Sequence, residues 1–94
     1  MNTFEFHSDP SHGWLAVSEF AIRSLGMSPR DFSRYSYQSF SGLVFYLEED
    51  CDAAKFLAAY KAKHGAEPTI VERHSSKPSF IRNLARVQPW KAES

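Results

Sequence analysis

The sequence predicts an α+β fold: one small domain with a mostly antiparallel sheet of about four to five strands and two helices on one face. Three observations predict it. Short runs at 3–7 and 34–38 alternate apolar with polar residues, the period of half-buried strands, and Trp14 to Val17 is a further short strand. Leu43 to Leu47 is apolar throughout, as a strand covered on both faces would be. From Ala53 the period changes to that of a helix: Ala53, Phe56, Leu57, Tyr60 and His64 share one stripe, with Lys55, Lys61 and Lys63 off it.

Each element follows in order. Phe4 and Phe6 point one way from the first strand. The segment Ser8-Asp9-Pro10-Ser11-His12-Gly13 is turn chemistry: proline sets one φ, Asp and Ser bond local amides, and Gly13 tolerates a positive φ. The second strand places Leu15 and Val17 on one face, Trp14 and Ala16 on the other. Ser18 is an N-cap for a short helix carrying Ala21, Ile22 and Leu25, with Gly26 just past its end. Ser28-Pro29-Arg30-Asp31 punctuates the chain. Tyr35 and Tyr37 then share a face, and Ser39-Phe40-Ser41-Gly42 turns 34–38 antiparallel onto 43–47. Leu43, Phe45 and Leu47 are expected on one buried face, with Phe45 packed against Phe56. His64-Gly65 ends the main helix, and Pro68 opens a strand at 69–72. The order is β-β-α-β-β-α-β.

The chain has 94 residues, enough for one core with little margin. The compact domain is expected at 1–74. Residues 75–94 read as a basic extension, since from Arg73 onward Arg73, Lys77, Arg82, Arg86 and Lys91 face the single Glu93. Within it, Phe80, Leu84 and Val87 would share a helical face. Zero net charge supplies no global steering toward nucleic acid or membrane. A single cysteine excludes an intramolecular disulfide. No run approaches the roughly 18 apolar residues of a membrane span, and the first residues lack a signal-peptide pattern, so a cytoplasmic protein is expected.

Four constellations bear on chemistry. His7, Asp9 and His12, with His64 or His74 as a third imidazole, have the donors for a metal-dependent hydrolase or nuclease, although their spacing matches no metal signature. Cys51 lies between Asp50 and Asp52, whose charges oppose a thiolate, and is expected as a small inward-pointing side chain. Glu48, Glu49, Asp50 and Asp52 place four carboxylates in five residues at the start of the main helix. Asp50 and Asp52 suit capping of its free amides, while Glu48 and Glu49 remain to face a basic partner. The basic extension with Phe80 and Trp90 has phosphate-binding and stacking groups, but direct nucleic-acid binding is not expected.

The string Asp9-Pro10-Ser11-His12-Gly13-Trp14-Leu15-Ala16-Val17, then Tyr35-Ser36-Tyr37 and Tyr46-Leu47-Glu48-Glu49-Asp50-Cys51-Asp52-Ala53, is similar to a group of short, uncharacterised bacteriophage and mobile-element proteins. Pro78 to Arg82 echoes a further short segment of that group. The resemblance implies a context and no catalytic residue: small accessory phage proteins commonly act by binding and blocking host machinery, including restriction and CRISPR complexes. The expectation is therefore a non-enzymatic protein-binding module of the anti-CRISPR type, acting in the host cytoplasm on a protein or nucleoprotein complex. Its contact residues would be Glu48, Glu49, Asp50, Asp52, Trp14, Tyr37 and Trp90, with no cofactor.

Overall fold

The computed structural model describes residues 3–33, 35–77 and 79–87. Its elements are β1 (Thr3–Ser8), β2 (Gly13–Ser18), α1 (Glu19–Ser24), β3 (Tyr37–Gln38), β4 (Val44–Glu48), α2 (Asp52–His64), β5 (Thr69–His74) and β6 (Ala85–Arg86). The six strands form one mixed sheet in the order β5-β1-β2-β4-β3-β6. All pairings are antiparallel except β1 with β5, because α2 carries the chain back across the sheet before β5 joins the β1 edge. The fold is α+β, with one more strand than the upper end of the expected range.

Strand alternation sorts side chains to two faces. On the first, Phe4, Leu15, Val17, Phe45 and Leu47 meet Ile22 of α1 and Ala53, Phe56 and Tyr60 of α2. Phe45 and Phe56 are both buried in this cluster, and Phe4 meets Phe56 edge-on at 5.3 Å between ring centroids. The caps of α1 follow the sequence: Ser18 Oγ accepts the Ala21 amide at 3.0 Å, and Gly26 adopts φ 76°. Pro29–Asp31 is a 3-10 turn closed by a capping box between Ser28 and Asp31.

Several expectations are corrected. Leu43 precedes β4 in the hairpin loop, where strand alternation no longer directs it inward, and it is 59% exposed. The hairpin pairs only Tyr37 and Gln38 with β4, and Arg34 lies outside the described residues. His64 is exposed at the last position of α2, stacked on Tyr60. Gly13 has no positive φ; a Cβ there would stand 2.4 Å from the Phe6 ring, so close packing is what demands glycine. Residues 79–87, read as part of an extension, build into the sheet. After a 3-10 turn at Phe80–Asn83, β6 pairs with β3, burying Ile81 and Val87 and leaving Phe80 54% exposed. A 3-10 turn followed by a strand has a different phase from the helix expected there, so Ile81 replaces Phe80 as the anchor.

Candidate functional site

The second face of the sheet carries Trp14, Tyr37 and Tyr46, with Ile81 and Leu84 packed on them. Asp9 anchors the start of the 79–87 segment, whose end pairs with β3 and buries Val87 in the first-face cluster. Its Oδ1 accepts the Ser11 and His12 amides at 3.1 and 3.0 Å, and its Oδ2 accepts the Ser79 amide at 2.9 Å. Arg82 closes the set with a fork, Nε to Oδ2 at 2.7 Å and Nη2 to Oδ1 at 3.0 Å. Arg82 and these amides hold the Asp9 carboxyl far below the usual carboxylate range against the opposing effect of burial, and Asp9 in turn raises the Arg82 pKa. The same guanidinium lies 5.5 Å from the Trp14 ring centroid, and that of Arg86 lies 4.9 Å from the Tyr37 centroid.

Beside this arrangement opens a cleft of about 580 Å³ lined by His12, Trp14, Tyr35, Tyr37, Glu48, Asp50, Cys51, Arg82 and Arg86, with Ser33 at its side. Trp14 comes from β2, Tyr37 from β3 and Glu48 from β4, brought together because Trp14 pairs with Glu48 and Tyr37 with Tyr46 across neighbouring strands. Asp50 and Cys51 follow in the turn into α2, and the arginines come from the C-terminal segment.

The acidic run divides into different roles. Asp52, at the first position of α2, is fully buried. Its Oδ2 accepts the Ser33 amide (2.9 Å), Ser33 Oγ (2.8 Å) and Ser36 Oγ (2.5 Å), tying the 33–36 loop to the helix start. Its Oδ1 has no hydrogen-bond partner among the described residues. Asp52 is thus no contact residue, and Cys51 is exposed: the expected order of burial between the two is reversed. The reason is the turn at 49–51, which rotates the first helical position inward and leaves the preceding residue outside. Neither Asp50 nor Asp52 caps α2. Cys51 occupies the N-cap without a side-chain bond, while Glu48 Oε1 accepts the Cys51 amide at 3.1 Å. Glu49 is exposed and does not line the cleft. Of the residues nominated from sequence, Trp14, Tyr37, Glu48 and Asp50 converge, and Trp90 lies outside the described residues. Sequence reading missed Tyr35, Arg82 and Arg86 as cleft residues; the shared face of Tyr35 and Tyr37 was the available signal.

The histidines do not gather. His7 Nε2 bonds Glu5 Oε1 at 3.0 Å while its ring meets Tyr46 and Phe80, His12 packs on Trp14, and His74 bonds Ser8. With both Asp9 oxygens taken by Arg82 and amides, no group of three His, Cys, Asp or Glu suited to a metal occurs among the described residues. No helix of the described residues is long and apolar enough to cross a membrane. No family model, curated protein or solved structure matches the chain.

Proposed function

We propose that the protein is a non-enzymatic binding module that docks a host protein or nucleoprotein complex in the cleft on the second face of its sheet. The observation that carries this reading is the convergence of Trp14, Tyr37, Glu48 and Asp50 from separate elements into one concavity. Aromatic rings beside charged groups, on strands held rigid by pairing, are the composition of a contact hot spot. The acidic residues act from within a concave wall, so the partner supplies the protruding group. With the phage resemblance of the sequence, the role is that of an accessory protein blocking a host defence complex in the cytoplasm, of the anti-CRISPR type.

The test is affinity capture from a bacterial lysate containing restriction and CRISPR complexes, with wild type and a Glu48→Lys/Asp50→Lys variant. Both positions lie outside the first-face core, so the variant is expected to fold, at a cost of about 1 kcal/mol for the lost Glu48 bond to the Cys51 amide, and to lose its captured partner. Undiminished capture by the variant removes the cleft from the account.

A further inference from the structure

We infer that the cleft seats a guanidinium side chain of a basic peptide segment, stacked on Tyr35 and facing Glu48 and Asp50. This deepens the proposed function and rests on its reading of the cleft as the docking site. Besides the His12 imidazole, Trp14, Tyr35 and Tyr37 line the cleft with aromatic rings, and two of these three carry a guanidinium: Arg82 over Trp14 and Arg86 over Tyr37. Tyr35 is 60% exposed and carries none among the described residues. Tyr35 is therefore an exposed ring of the type that this cleft pairs with arginine at Trp14 and Tyr37.

Charge points the same way. The Arg82 charge is matched by Asp9 in a bonded fork and does not act as a free cation. Glu48 and Asp50 form no ion pair among the described residues, and Asp52 lies directly behind the wall, bonded to the lining residue Ser33. Among the described residues, Glu48 and Asp50 balance Arg82 and Arg86 along the lining, and Asp9 and Asp52 behind it add a formal excess of two negative charges. An anionic ligand would meet that excess, whereas an arginine side chain would offset it and present a plane to Tyr35.

The experiment is an NMR titration of the full chain with acetyl-Gly-Arg-Gly-amide and its citrulline counterpart, which keeps the shape and removes the charge. The arginine peptide is expected to shift Tyr35, Asp50 and Cys51 resonances and to bind at least about tenfold more tightly than the citrulline peptide. Glu48→Gln/Asp50→Asn is expected to weaken the arginine peptide about tenfold, and Tyr35→Ala about threefold, without altering the spectrum of the first-face core. Equal affinity for the two peptides, no binding of the arginine peptide, or an unchanged affinity in the double variant overturns the inference. Capture lost in the Lys variant with no arginine-peptide binding rejects the ligand class alone. Arginine-peptide binding with capture intact rejects the docking reading alone.

Discussion

The helix-covered face of the sheet is closed by aliphatic and aromatic side chains, whereas the opposite face is closed by Trp14, Tyr37 and Ile81 together with a buried carboxylate, a forked ion pair and two guanidinium–ring contacts. The first cover is non-directional: α1 and α2 need only present apolar stripes of suitable volume to the strands. The second is directional. Asp9 must meet Arg82 across 73 positions of sequence, in one geometry, for Ile81 to reach its seat. The first face is thereby sealed by packing, and the second leaves a cleft lined by rings and charged groups.

The comparison breaks most directly at Phe56. Phe56→Ala removes a fully buried ring from the first face and is expected to cost about 3–5 kcal/mol in chemical denaturation. Lys61→Ala, on the exposed side of the same helix, should cost less than about 0.5 kcal/mol. Equal stability of the two would invalidate the packing of α2. Lys55 is a poorer outer-face control, because its Nζ donates to the Asp31 carbonyl at 2.8 Å.

Asp52→Ala comes next. It leaves the Ser33 amide and the Ser33 and Ser36 hydroxyls without their acceptor, an expected loss of about 2–3 kcal/mol, against less than about 0.5 kcal/mol for Asp50→Ala. Thermal melts of the pair check this. Unmodified protein should also react through Cys51 with a thiol reagent while folded, since that side chain is exposed. Protection of Cys51 would restore the opposite burial order.

Asp9 sharpens the contrast through pH. Its folded pKa is depressed by Arg82 and local amides, so the pair stabilises the fold fully above the unfolded carboxylate value of about 3.9. That contribution fades as pH falls from there toward the much lower folded value. Wild type should therefore lose stability between pH 5 and 2 more steeply than Asp9→Asn. At pH 7, Asp9→Asn should release hydrogen-exchange protection at 79–87 before α2. Simultaneous loss in both regions would show that the two covers are not separable. Smallest of all, Leu43→Ser should alter stability by less than about 0.5 kcal/mol, because that side chain already faces water. A larger loss would return Leu43 to the core.

The sequence by itself determined the features whose causes are local. Alternation placed Leu15 and Val17 opposite Trp14, the 3.6-residue period placed Ala53, Phe56 and Tyr60 inward, and Ser18 and Gly26 delimited α1. Glu48, Asp50, Trp14 and Tyr37, which line one cleft, stood out in the sequence because charged and aromatic types are conspicuous in one dimension. Tertiary structure alone decided that Asp52 turns in and Cys51 out, that β5 joins β1 in parallel, and that Arg82 and Arg86 reach over Trp14 and Tyr37. Those outcomes depend on partners 16 to 73 positions away. A side chain's periodicity reports which way its own backbone points, while the donor or ring that satisfies it is chosen by where the rest of the chain has packed.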